Sequence, residues 1–358
     1  MREGRGHVLN YLTEPQAVAL IGGLGGLLLG LAARIGRFCT LGAIEDIYYG
    51  NSSLRLRMWG VAIGVAVMGT FGLAASGLLD LGQTLYLGRG WTPLACVVGG
   101  LTFGYGMALA GNCGYGALAR LGGGDLRSFV IVLVMGLAAY MTLGGPLSGL
   151  RLWLFDAADT PGPMPGFADA LSALTGLPVH ATGMLIGALI LLLTLLHRPM
   201  RRAYAHVFWG AVVGLAIVSG WAGTQWVANV GFDATPVVSH TFSAPLGETM
   251  LYAMTSSGNT ISFGTGSVLG VLLGAFAGSL FKGHFRWEAC DDPRELGRQI
   301  LGAALMGFGA VITVGCSVGQ GLSAFSVLAY SAPLTLACIM AGAAVGLRQL
   351  ILGFAPGV

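Results

Sequence analysis

The sequence predicts an all-α polytopic membrane protein of about nine transmembrane helices, with re-entrant or broken helices and two pseudo-symmetric halves. Three observations predict it. Of 358 residues, 55% are hydrophobic and only 9% charged, and the mean hydropathy is +0.77. A soluble domain has about a quarter of its residues charged, so this chain lacks the polar surface to dissolve. Apolar runs near the length needed to cross about 30 Å of hydrocarbon recur from end to end. Finally, 61 glycines without collagen periodicity suit helices that pack closely and backbone that breaks where it lines a cavity.

Taken in order, the spans are expected at 16–35, 58–79, 93–112, 128–148, 180–197, 205–223, 262–281, 299–315 and 332–353. The first run ends at Arg34 and Arg37 without a small-residue cleavage pattern, so it is expected to be a span and not a cleaved signal. The third and eighth are expected to stop part-way, each at a glycine–cysteine turn. Segment 224–261 is too long for a plain connection and contains the amphipathic stretch "APLGETMLYAMTS"; an external helix and a re-entrant hairpin both fit it. All seven tryptophans fall near span ends, as an interfacial belt would place them. Asp125 and Asp292 each precede an apolar run in a position suited to a helix start.

The connections divide by charge. Arg55 and Arg57, Arg120 and Arg127, "HRPMRR" (197–202) and "KGHFRWEACDDPRELGR" (282–298) hold most of the basic residues, while 149–179 is mainly acidic and 224–261 has no Lys or Arg. Positive-inside reasoning places the first group in the cytoplasm. With nine spans the N-terminus is then outside and the C-terminus cytoplasmic. The net charge is +3, all 18 basic residues but Lys282 are arginine, and no basic run is long enough for a nucleic-acid surface. No nucleotide-binding motif is present, and the six cysteines show neither CxxC nor zinc spacing. No cofactor or metal is expected.

One internal repeat is legible. "GYGMALAGNCGYG" (104–116) and "GFGAVITVGCSVG" (307–319) both read G-x-G-x6-C-x2-G, and Gly99 and Gly302 match at the same offset of 203 residues. The chain is accordingly one membrane domain, 1–358, with half-repeats at about 16–150 and 205–353, joined by loop 149–179 and span 180–197. Glycines at 111, 114 and 315 weaken the helix beside Cys113 and Cys316. A break at membrane depth frees backbone N–H groups, and a helix start beside it directs its positive end inward. Such a nest binds an anion without a buried arginine, and a thiol adds a soft, weak donor suited to a polarisable acceptor. Asn112, Tyr115, Ser317 and Gln320 flank the thiols and offer further donors, Gln320 most of all.

A free cysteine is usually a small buried hydrophobe. Cys96 and Cys338, in plain apolar runs, read that way, and Cys290 in a polar loop has no special context. Cys39 in "RIGRFCTLGAIEDIYYG" (34–50) stands between Arg37 and the acidic pair Glu45 and Asp46; Arg34 and Arg37 either gather anions at the inner mouth or only mark the membrane boundary. Its counterpart in the second half is expected at 278–293, which also follows a span.

"GRFCTLGAIEDI", "GMALAGNCGYGALARLGGGDLRS", "FRWEACDDPRELGRQILGAALMGFGAV" and "VGCSVGQGLS" together resemble the YeeE/YedE family of sulfur transport proteins. The resemblance implies an hourglass-shaped inner-membrane protein in which cysteines near the narrow centre pass thiosulfate along through S–H···S contacts. Carried onto this chain, it implies Cys113, Cys316 and Cys39. It also implies a small cytosolic sulfur-carrier partner of the TusA type, for which the 282–298 loop is the expected docking place. Some relatives are linked to selenium or other sulfur species, so the substrate is thiosulfate or a related anion. The residues also leave open a membrane sulfurtransferase or redox protein that forms a cysteine persulfide, although no histidine neighbours Cys113 or Cys316 in sequence. A non-catalytic scaffold would leave the repeated motif unexplained.

Overall fold

The computed structural model describes residues 12–88, 90, 92–155, 165–232, 234–289 and 292–353. Its first half contains α1 (Glu14–Arg34), the short α2 (Thr40–Tyr48), α3 (Leu54–Ala75), α4 (Pro93–Ala110), the short α5 (Gly114–Gly122) and α6 (Leu126–Leu143). Three helices, α7 (Ser148–Phe155), α8 (Phe167–Thr175) and α9 (Val179–Leu195), and the basic turn α10 (Arg198–Arg202) connect the halves. The second half contains α11 (Tyr204–Val230), the short α12 (Ala244–Thr255), α13 (Phe263–Phe281), α14 (Pro293–Ile312), a π-helix (Gly319–Ala324) and α15 (Ser331–Leu352).

Among the described residues, eight segments are long and apolar enough to cross a membrane, α4 and α5 counting together as Pro93–Gly122, and a ninth results if α8 and α9, bent by 110°, form one span. Every expected span is present with displaced ends. The second runs Leu54–Ala75 instead of 58–79, because Ser53 precedes the first turn and the helix tolerates Arg55 and Arg57 at the interface. The sixth continues to Val230, since Thr224 and Gln225 are buried partners of the loops at Val238 and Asp80. Asp125 accepts from Arg127 N (3.0 Å) and Asp292 from Arg294 N (2.8 Å), so both cap helices as their position implied.

Within 224–261, α11 ends, the chain runs without helix over 234–243, and α12 follows. Phe242 is fully buried and His240 sits against Gly25 in mid-α1. The segment therefore folds back into the helix bundle as a hairpin of irregular chain and α12. The place that α2 takes after α1 is taken after α11 by α12, not by 278–293. That stretch instead lies on the α5–α6 turn, with Arg286 N donating to Gly123 O (3.3 Å) and Glu288 N to Gly124 O (3.1 Å).

The helices pack reciprocally: α1 lies on α13 and α3 on α11, α4 lies on α15 and α14 on α6, and α4 crosses α14 at the centre. Glycines make the closest of these contacts. Gly22, Gly26 and Gly30 of α1 face the backbone oxygens of Phe263, Ser267 and Val271, while Gly266, Gly270 and Gly274 of α13 face those of Ala19, Gly23 and Leu27. Lipid tails are as apolar as leucine, so close van der Waals packing of small residues holds the pair together, not apolar transfer.

Two tryptophans do not belong to a belt. Trp221 is fully buried and donates to Ser326 Oγ (2.9 Å), and Trp59 is 4% exposed and stacks on Phe38 (4.7 Å between centroids). Trp153 and Trp287 are exposed, as a belt requires. Trp91 and Cys290 fall outside the described residues.

Candidate functional site

Three thiols stand where helices start. Gly111, in the left-handed region at φ 75°, ends α4; the chain turns through Asn112, and Cys113 caps α5. The Cys113 Sγ accepts from Gly116 N at 3.4 Å. In the matching hairpin of the first half, formed by the turn after α1 and by α2, Arg37 takes φ 58° and Cys39 caps α2, accepting from Gly42 N at 3.5 Å. The second break follows α14: Val314 (φ 55°) and Gly315 (φ 153°) turn the chain, Cys316 follows, and helix resumes at Ser317. Here the donor comes from the other hairpin, Phe242 N to Cys316 Sγ at 3.3 Å. Each sulfur thus accepts a backbone N–H while its own S–H remains available to donate.

Cys113 neighbours both of the other thiols. Cys39 is near enough to Cys113 for the two groups to interact electrostatically, and the same holds for Cys113 with Cys316. Cys113 and Cys316 are each 1% exposed. Gly114 lies where the second hairpin presses on this turn; a methyl there would stand 2.9 Å from the Phe242 carbonyl and 2.7 Å from Met135 Sδ.

Around Cys113 the polar groups are without protein partners. The Ser317 and Thr40 hydroxyls approach its thiol, yet neither is in hydrogen-bonding geometry to any protein group, and both amide atoms of Asn112 are likewise unpaired. All three residues are buried. Unpaired buried polar groups cost about 1–3 kcal/mol each, so a cluster of them marks a place built for a polar guest.

The other two expected donors are engaged. Tyr115 donates its hydroxyl to Leu29 O (2.6 Å). Gln320, the donor most favoured from sequence, turns its amide NH2 onto the Thr313 and Val314 carbonyls. Breaking α14 orphans these carbonyls, and Gln320 satisfies them. Only its Oε1 is unpaired, and an oxygen acceptor offers nothing to an anion.

Cys39 opens onto a vestibule of about 780 Å³ that also reaches Gly111, Asn112 and Gly116. Arg34, Arg37, Arg55, Arg120, Lys282 and Arg286 line it against Glu45 and Glu288. The low-dielectric walls focus such a field and concentrate anions at the mouth. Arg34 and Lys282 also tie its rim: Arg34 Nε donates to Ser279 Oγ (2.7 Å), and Lys282 Nζ to Ile35 O (3.0 Å). Cys96 and Cys338 lie apart, where α4 crosses α15; a Cβ on Gly100 would stand 2.8 Å from Cys338 Cβ, and both residues are packing. Among the described residues, no cluster of three or more His, Cys, Asp or Glu could hold a metal ion.

Comparison with known proteins places the chain as a whole among sulfur transporters. The thiosulfate transporter TsuA of Escherichia coli (strain K12) is 27% identical over 324 residues, covering 86% of this chain and 87% of the relative. The thiosulfate transporter TsuA of Spirochaeta thermophila is 24% identical over 316 residues, covering 86% and 91%. Residues 35–345, which span all three thiol turns and both hairpins, match the Sulphur transport family. The chain is a member of that family.

Proposed function

We propose that this protein is an inner-membrane transporter, not an enzyme, that takes up thiosulfate or a closely related sulfur anion. The anion passes a central constriction lined by Cys316, Cys113 and Cys39, with Asn112 and Ser317 beside the middle thiol and Gly111, Gly114 and Gly315 shaping the breaks. Most direct support comes from the unpartnered polar cluster at Cys113, which neighbours two further thiols and adjoins a basic vestibule. The names of the two relatives supply the substrate. A divalent anion in the bilayer must exchange hydration for dipoles. Helix starts with one weak S–H each bind it well enough to admit it and weakly enough to release it.

The two halves, 16–150 and 205–353, form an inverted repeat in this proposal. Nine spans put the N-terminus outside and the vestibule and C-terminus in the cytoplasm. The reciprocal packing of α1 on α13 and α3 on α11 fits that symmetry. A TusA-type carrier would receive the sulfur at the vestibule rim, near Lys282, Arg286 and Glu288.

Uptake of sulfur-labelled thiosulfate by sealed vesicles tests the function. Accumulation above protein-free vesicles is expected; none at all, with folded protein present, overturns the substrate. A persulfide that persists on Cys113 or Cys316 after gel filtration would point to the sulfurtransferase alternative instead. The vestibule makes a separate prediction. For thiosulfate entering from the cytoplasmic face, measured in inside-out vesicles, Arg120→Gln should raise KM about three-fold at low ionic strength, and the difference should shrink as salt screens the mouth. A KM that is unchanged at low salt would remove the vestibule from the path.

A further inference from the structure

A cavity of about 490 Å³ lies beside the thiol path without belonging to it, enclosed by α2, α3, α9 and α15. Ala43, Ile44, Ile63, Leu193, Leu336 and Met340 make its walls apolar, and among the described residues no carboxylate lines it. Leu56 and Leu193 also line it and are 37% and 57% exposed, so the cavity opens on the surface of the bundle that faces lipid.

Two donors stand in this apolar lining. Arg57 is in the first turn of α3, two residues after Arg55 of the vestibule, which puts the mouth of the cavity at the membrane boundary on the vestibule side. Its guanidinium reaches only neutral groups, Ser53 Oγ (3.2 Å from Nε) and the Leu193 carbonyl (3.4 Å). No described carboxylate pairs with it. The second donor is Trp59, which is buried while its indole N–H has no hydrogen-bond partner. A buried indole normally finds an acceptor, and the protein supplies none here. The turn α10 packs on α3 and α9 at the same end and adds Arg198, Arg201 and Arg202, all exposed.

We propose that this cavity binds one anionic phospholipid from the leaflet on the vestibule side. Its acyl chain lies along the apolar walls, its phosphate meets Arg57, and an ester carbonyl accepts from the Trp59 N–H. Basic pockets between membrane helices suit anionic headgroups in this way. A small hydrated oxyanion is a poor occupant, because most of the lining offers nothing to replace its water. A zwitterionic lipid carries an ammonium group that Arg57 and α10 disfavour. The position gives the lipid a consequence for Cys39. Helix α2 forms one wall, Thr40 at its start also approaches Cys113, and Trp59 stacks on Phe38, the residue before Cys39. Bound lipid therefore braces the first hairpin. That consequence rests on the transport function proposed above; the binding does not.

The site is tested on the full chain in detergent by titrating phosphatidylglycerol, phosphatidylcholine or inorganic phosphate, with bound lipid read by native mass spectrometry and stability by melting temperature. One phosphatidylglycerol should be retained in preference to phosphatidylcholine. Arg57→Gln should weaken phosphatidylglycerol binding about five-fold, the worth of one basic residue at an anionic leaflet, and leave phosphatidylcholine unchanged. Leu56→Trp puts a larger side chain, at home at the interface, into the mouth; it should exclude the lipid and keep a lipid-free melting temperature near wild type. Equal retention of the two lipids overturns the proposal, as does wild-type affinity in both variants. Inorganic phosphate that displaces phosphatidylglycerol would make this a free-anion site and overturn it too. In phosphatidylcholine vesicles, added phosphatidylglycerol should speed thiosulfate uptake by wild type and not by Leu56→Trp; the same response in both overturns the bracing of Cys39. Lipid binding that depends on Arg57, with no uptake from any vesicle, would end the transport function and leave the lipid site in place.

Discussion

Cys113→Ala is expected to reduce thiosulfate uptake at least about tenfold, at a protein level equal to wild type. Cys113 is the middle thiol, interacting with Cys39 on one side and Cys316 on the other, and the unpaired groups of Asn112, Ser317 and Thr40 surround it. Removing its S–H leaves the anion without a soft donor at the narrowest point. A hydrogen bond to a charged group contributes about 1.5–3 kcal/mol, which is a factor of ten or more in rate if it forms only at the barrier. The structural cost is smaller. The variant loses the Gly116 N–H···S contact that caps α5, a cap being worth about 1 kcal/mol. Cys113→Ser separates the two contributions, since serine restores the cap but offers a harder and shorter donor; its uptake should remain well below wild type while its melting temperature recovers. Cys96→Ala, at the α4–α15 crossing, should transport normally. Wild-type uptake in Cys113→Ala would mean that these thiols are packing residues and that the line of cysteines is not the path.

Much of this site is legible in the sequence because its geometry follows from local rules. Gly111 and Gly315, just ahead of Cys113 and Cys316, take backbone angles that end a helix (φ 75° and 153°), so the gapless repeat locates both turns. Arginines at span ends likewise identify the vestibule, because charge at an interface is a property of position along the chain. What escapes is decided by facing. Hydropathy counts Trp59 and Trp221 as interfacial, and only packing shows that Phe38 and Ser326 hold them inside. Gln320 reads as a donor to substrate because it stands four residues after Cys316, yet the orphaned carbonyls of the same break take its amide first. The second hairpin is hidden because Phe242 and Ser243 stand near the place Cys39 holds in the first, so no thiol marks it. The α1–α13 pair did have a signal: glycines at 22, 26 and 30 and at 266, 270 and 274 share a four-residue spacing, which puts three small residues on one face of each helix.

That spacing carries the largest expected effect on folding. A Cβ on Gly266 falls well inside contact distance of the Ala19 carbonyl oxygen, and also meets the carbon of that carbonyl at 2.6 Å and Cα at 2.8 Å. All three atoms are backbone, so no side chain can rotate away; Gly266→Ala must push α13 off α1. The displacement would extend to Gly270 and Gly274, whose own closest contacts are backbone atoms of Gly23 and Leu27. Overpacking of this kind costs about 3 kcal/mol, enough to deplete a marginally stable protein. Gly72→Ala in α3, where nothing lies within 4 Å of the new methyl, adds the same atom without a clash and gains helix propensity of about 1 kcal/mol. Thermal unfolding in detergent, with the yield of monodisperse protein, should therefore place Gly266→Ala far below wild type and Gly72→Ala at or slightly above it. Equal melting temperatures for the two variants would show that α1 and α13 are not in backbone contact. The reciprocal packing on which the proposed repeat relies would then fail with them.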